Sequence, residues 1–166
     1  EGALKIDDLS EFCKKKKIKA LGLSDTSNLC GALEFSENIS KVGTQPILGT
    51  QINFKYKNEY GLLPLIAKTK KGYSSMVYLS SKSFLDSDNH DFPHCEIDDL
   101  VNNSEDIILL SGSINGLFGK LFNKGKFDDI VELYKLIKQK FKTNFYLEIQ
   151  RHGDINEKSF ELFNLN

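Results

Sequence analysis

Residues 20–28 read Ala20-Leu21-Gly22-Leu23-Ser24-Asp25-Thr26-Ser27-Asn28. A short apolar run closed by a polar cluster predicts a buried strand at Ala20–Leu23, a turn, and then the N-cap of a helix running from about Leu29 to Ile39. On the N-terminal side, Leu4, Ile6, Leu9, Phe12, Cys13 and Ile18 recur at roughly helical spacing, and the run Lys14 to Lys17 lies at the far end, where cations suit the helix dipole. On the other side, the stretch Pro46 to Phe54 predicts a second strand at Ile47–Phe54, and its alternation after Gly49 implies one buried face. A polar hairpin around Lys57-Asn58-Glu59 leads to a third strand at Leu62–Ala67. Gly72 to Leu85 reads as a helix, Asp86 to Pro93 as a polar loop and Ile97 to Val101 as a short helix. The apolar strand Ile107–Leu110 ends in Ser111-Gly112-Ser113 and precedes a helix near Leu117. The clearest helix is Phe127 to Phe141, whose stripe and boundary are marked by Ile130, Val131, Tyr134, Ile137, Lys138 and Phe141. A last strand is predicted at Phe145–Gln150, and a closing helix begins near Glu157.

This alternation argues for an α/β fold with a mostly parallel sheet covered by helices, either a barrel or an open doubly wound sheet, with the strand ends converging on one rim. The 166 residues suit one domain, 1–166, and 40% hydrophobic with 27% charged residues and twelve Phe is the composition of a folded chain, excluding disordered and fibrous classes. The net charge of -1 gives no global reason to expect binding to a phosphate backbone. Cys13, Cys30 and Cys95 are odd in number and widely spaced, which fits neither a disulfide framework nor a zinc ribbon and points to reduced thiols in a cytoplasmic protein. No apolar run reaches membrane-spanning length, and the start, Glu1-Gly2-Ala3-Leu4, lacks signal-peptide features and a Met, so the chain is expected to open inside a domain.

If the fold is a barrel, chemistry is expected at the strand carboxyl ends, at Ser24-Asp25-Thr26, Gln51, Ser111-Gly112-Ser113 and Arg151-His152. Asp25 can ligate a divalent metal or cap the following helix, and His152 can be a ligand or a loop residue. Ser111-Gly112-Ser113-Ile114-Asn115-Gly116 follows a strand and opens a helix like a phosphate-cradling loop. It lacks both the Gly-Lys-Ser/Thr ending and the three-glycine fingerprint, so a plain strand-to-helix turn is expected. His90 and His94 are four apart beside Pro93, without the Glu of a helical zinc pair. No Gly-x-Ser-x-Gly elbow or Cys-His dyad is visible.

Five stretches carry a resemblance. They are Ala20 to Phe35, then Pro46-Ile47-Leu48-Gly49-Thr50-Gln51, Leu65-Ile66-Ala67-Lys68 with Gly72-Tyr73, Ile108-Leu109-Leu110-Ser111-Gly112, and Phe145 to Gly153. In that order they resemble a PHP (polymerase and histidinol phosphatase) domain, of the kind found in DnaE-type alpha subunits of bacterial DNA polymerase III. The resemblance implies part of a distorted (β/α) barrel cut at both ends, with the early His-x-His stretch and the closing Asp-x-His strand outside the chain. It implies a parent DNA-directed DNA polymerase whose catalytic carboxylates lie elsewhere. It also implies an altered metal site. Thr26 stands for a His, Gln51 for a Glu and Leu62 for a His, leaving Asp25 and His152 as the vestigial metal ligands. A hydroxyl and an amide hold a dication poorly. No catalytic residue and no cofactor are therefore expected in this segment, although a divalent metal fits the complete domain. The expected role is scaffold or docking platform. Its partners would be the other domains of the alpha subunit and the proofreading exonuclease subunit, with neither strong DNA binding by the segment alone nor a membrane. The alternatives are a live metal-dependent phosphoesterase that trims primer ends, and a free-standing binding protein.

Overall fold

Residues 4–87 and 92–165 are described in a computed structural model of the chain. The elements are α1 (Ile6–Lys16), β1 (Ala20–Thr26), α2 (Ala32–Lys41), β2 (Gln45–Tyr56), β3 (Glu59–Ala67), α3 (Lys70–Leu85), β4 (Cys95–Glu96), α4 (Ile97–Asn102), β5 (Ile107–Leu110), α5 (Leu117–Asn123), α6 (Phe127–Phe141), β6 (Phe145–Tyr146) and α7 (Glu157–Leu165). Helix α1 ends where Lys17 turns left-handed, at φ 53, and the Ile18 N–H closes back on the Cys13 carbonyl 3.0 Å away. Helix α3 starts two residues earlier than its periodicity predicts because the Thr69 hydroxyl accepts from the N–H groups of Lys71 and Gly72.

The strands form one open mixed sheet in the order β1-β2-β3-β5-β6, with β4 pairing the far end of β2. Strands β1, β2, β5 and β6 run the same way. Strand β3 runs antiparallel to both its neighbours, β2 and β5, which corrects the expectation that every strand would deliver its carboxyl end to one rim. The cause is the hairpin at Lys57-Asn58. Lys57 takes a left-handed φ of 53 and reverses the chain directly. Strand β6 is also shorter than the predicted Phe145–Gln150. Its partner β5 ends at Leu110, and Gly112 turns away at φ +77, so past Tyr146 the ladder gives way to one side-chain bond from the Glu148 N–H to Ser111 Oγ.

The main core sets Ile52, Phe54, Leu63, Leu65, Ile107 and Leu109 of the sheet against Met76 and Leu79 of α3, Phe118 of α5, and Ile130, Leu133 and Ile137 of α6. A smaller cluster packs Cys13 of α1 and Phe35 and Ile39 of α2 onto Leu21, Leu23 and Leu48. Leu4 and Phe12, which the α1 pattern places on the apolar stripe, are exposed instead, and Val131 is an exposed member of the α6 pattern. No helix among the described residues is long and apolar enough to cross a membrane.

Candidate functional site

The strand register draws one line across the sheet. Thr26 of β1 lies opposite Gln51 of β2, which lies opposite Pro64 of β3. One step along, Leu65, Leu109 and Phe145 are matched. The carboxyl ends of β1, β5 and β6 therefore meet the middle of β2 and β3 at one level. Side chains alternate across a strand, so Thr26 and Gln51 share one face of the sheet and Asp25 and Thr50 share the other.

The loop after β1 is fixed by bonds its sequence supplies. Ser27 takes a φ of 60 and donates its N–H to the Gln51 carbonyl at 2.7 Å. Asn28 donates its side-chain amide to the Thr26 carbonyl and accepts from the Cys30 N–H. The fully buried Thr50 hydroxyl lies 2.9 Å from both the Asp25 and the Asn28 carbonyl oxygens. These bonds delay α2 to Ala32, three residues after the expected start.

Asp25 is half-buried and faces the start of α2, where a Cβ added to Gly31 would stand 3.1 Å from its Oδ2. Among the described residues no side chain caps the N-terminus of α2, so the capping alternative for Asp25 is not realised and Asn28 closes the turn. His152 is exposed on the loop before α7, and its backbone N–H and that of Gly153 donate to the Glu157 carboxylate at 2.9 to 3.0 Å.

A cleft of about 70 Å³ opens on the Gln51 face, lined by Gln51, Pro64, Ser113, Asn115 and Gln150 among others. The polar groups among its described lining residues are all neutral, and neither Asp25 nor His152 lines it. On the opposite, buried face of β3, helix α5 approaches closely, and a Cβ on Gly61 would lie 2.3 Å from Leu117 Cα. The Ser111 to Gly116 segment is thus a strand-to-helix turn, closed by the Gly116 N–H donating to the Ser113 carbonyl at 2.9 Å. Sequence reasoning found Gln51, Ser113 and the Ser111 to Gly116 loop that carries Asn115, but missed Gln150 and Thr50. For Thr50 the signal was present, a hydroxyl on the same strand face as Leu48 and Ile52.

The other candidate groups lie apart from this cleft. His94 approaches the Phe92 carbonyl at 3.0 Å through Nδ1 and sits edge-on to Tyr60, while His90 lies outside the described residues. All three cysteines are free; Cys13 and Cys95 are buried, and burial pushes the Cys95 thiol up to about 12.

The family resemblance implies a divalent metal at the strand ends. The residues present do not fit one. Among the described residues no three His, Cys, Asp or Glu side chains are gathered to hold a metal ion, and the cleft offers amides and a hydroxyl where a dication needs charged ligands.

The fold and rim define an α/β domain that brings polar side chains together along one level of strand ends. The model of the PHP domain matches residues 1–152, and the chain belongs to that family. Among curated proteins it is 34% identical over 164 residues to the DNA polymerase III subunit alpha of Borreliella burgdorferi, covering 92% of this chain and 14% of that protein. It is 34% identical over 161 residues to that of Caulobacter vibrioides, with the same coverage, and 35% identical over 161 residues to that of Rickettsia prowazekii, covering 96% and 14%. The chain therefore spans about 14% of the length of the relatives it matches. Among solved structures, a proposed metal-dependent phosphoesterase from Bifidobacterium adolescentis is 16% identical with a TM-score of 0.36, covering 81% of this chain and 50% of that one.

Proposed function

We propose that this chain is the PHP portion of the catalytic alpha subunit of a replicative DNA polymerase III, acting in DNA replication in the cytoplasm as a non-catalytic scaffold and docking platform. The observation that carries the non-catalytic reading is the neutral lining of the strand-end cleft, where Gln51 stands at the level of the β1, β5 and β6 ends and neither a carboxylate nor an imidazole is among the described lining residues. Asp25 and His152 are then remnants of a ligand set, one turned toward α2 and one on an exposed loop. Nucleotide addition would belong to the rest of a polypeptide of which this chain matches 14% in its relatives. The partners of this segment would be the other domains of the subunit and the proofreading exonuclease subunit.

The test measures metal and hydrolysis together. Elemental analysis of the purified protein is expected to find no stoichiometric zinc or manganese, since three protein ligands are the usual minimum for such sites. Incubation with manganese and a mismatched primer end is expected to release no nucleotide through this domain. Stoichiometric metal with hydrolysis lost in Asp25→Ala would establish the rival reading, an active metal-dependent phosphoesterase.

A further inference from the structure

Two buried polar atoms of opposite character belong to residues that line one small pocket beside the cleft. Glu148 Oε2, an acceptor, and Asn164 Nδ2, a donor, are each buried without a hydrogen-bond partner, and both residues line a pocket of about 10 Å³ between the segment after β6 and helix α7. Their other polar atoms are committed. Glu148 Oε1 accepts from the Gln150 side-chain amide, and Asn164 Oδ1 accepts from the Tyr134 hydroxyl at 2.7 Å. The Tyr134 bond makes the Asn164 oxygen the acceptor and leaves the amide nitrogen as the unpaired donor.

The remaining polar groups around the pocket are also engaged. Glu161 pairs with Arg151 at 2.7 Å, Glu157 accepts the His152 and Gly153 N–H groups, and Ser113 Oγ accepts from the Asn115 N–H at 3.2 Å. An orphaned carboxylate oxygen and an orphaned amide donor each cost about 1–3 kcal/mol when buried. A pocket of this size holds about one water-sized sphere.

We propose that one ordered water molecule sits here, donating to Glu148 Oε2 and accepting from Asn164 Nδ2. It completes a chain from Tyr134 on α6 through Asn164 and Glu148 to Gln150, whose amide lines the strand-end cleft. A metal cation is disfavoured because the Asn164 N–H would point its positive end at the ion. The water makes Gln150 a positioned group, with its nitrogen held by Glu148, and ties α7 to the rim. None of this depends on whether the domain docks a partner or hydrolyses a phosphoester.

A high-resolution crystal structure of the intact protein tests it, with water-to-amide NMR cross-relaxation as the solution measurement. The expected result is one full-occupancy water at about 2.7–3.2 Å from both atoms, and a long-lived water signal at the Asn164 side-chain amide. That signal should vanish in Asn164→Leu, with the circular dichroism of the variant reporting whether the fold is kept. A direct Glu148–Asn164 bond, a bound cation, or an unhydrated pocket in the wild-type structure would each overturn the proposal. The wild-type measurement decides even if the variant fails to fold.

Discussion

Thr50 shows how one hydroxyl shapes the rim. Ile52, two residues on along the same strand face, packs in the core, while the Thr50 Oγ lies 2.9 Å from two carbonyl oxygens of the β1–α2 loop. Thr50→Val keeps the shape and the β-branching but leaves those carbonyls without their donor. A loss of about 1–3 kcal/mol is expected, read as a lower denaturant midpoint with an unchanged slope. Glu59 is the other residue with a large local stake. Its side chain is 7% exposed at the β2–β3 hairpin and accepts from Lys124 and Lys126 at 2.8 to 2.9 Å. Burial pushes its carboxyl up, but the hydrogen bonds from the two lysines outweigh this and hold it below its ordinary value. A carboxylate with a lowered folded-state pKa contributes stability that is present above the unfolded value of about 4.5 and is lost as pH falls through the lower folded value. Thermal melts between neutral pH and the acid side of that window should therefore show a steeper acid loss in the wild type than in Glu59→Gln. Equal slopes in the two proteins would remove Glu59 from the acid response.

Strand β3 and helix α5 approach closely at Gly61. A Cβ at position 61 would meet Leu117 Cα at 2.3 Å and its backbone nitrogen at 2.4 Å, atoms that cannot rotate away. Gly61→Ala must push α5 off the sheet. A cost of about 1–3 kcal/mol is expected, as for other overpacking changes, and a melting temperature equal to wild type would show that α5 moves freely. Elements with a strong local signal were legible in the sequence. The α6 span was read to its exact ends because four core residues, Ile130, Leu133, Ile137 and Phe141, recur at helical spacing, though Leu133 was left off the stripe and exposed Val131 put on it. The continuous run Ile107–Leu110 was likewise read correctly as a strand. Strand direction and pairing were not legible. The antiparallel course of β3 follows from a two-residue reversal, and the two-residue β4 exists only because Cys95 and Glu96 pass alongside Phe54 and Lys55. Of the candidate site, Gln51 was found on the rim. The separation of Asp25 from Gln51 onto opposite faces needed the β1–β2 register, in which Asp25 matches Thr50.

Charge on the whole molecule is balanced in number and uneven in placement. Lys57, Lys71, Lys82, Lys124 and Lys126 each form an ion pair, and Lys57 bridges the β2–β3 hairpin to Asp129 and Glu132 of α6 at 2.6 and 2.7 Å. Lys14, Lys15, Lys16 and Lys17 are exposed at the carboxyl end of α1, and no ion pair involves them among the described residues. Two outcomes compete at this run. One is a solvated helix end, favoured because the last carbonyls of α1 attract cations by about 0.3–1 kcal/mol each. The other is a contact to a phosphate backbone. Four neutralised phosphates on duplex DNA would give a salt slope of roughly -3.6, so binding would weaken steeply by physiological salt. With a net charge of -1 there is no wider positive field to compensate. The chain is therefore expected to show no submicromolar binding to duplex DNA at about 150 mM salt, and replacing Lys14 to Lys17 with Ser should leave a gel-shift titration unchanged. Submicromolar binding that disappears in the Ser variant would instead assign the α1 terminus to the nucleic acid.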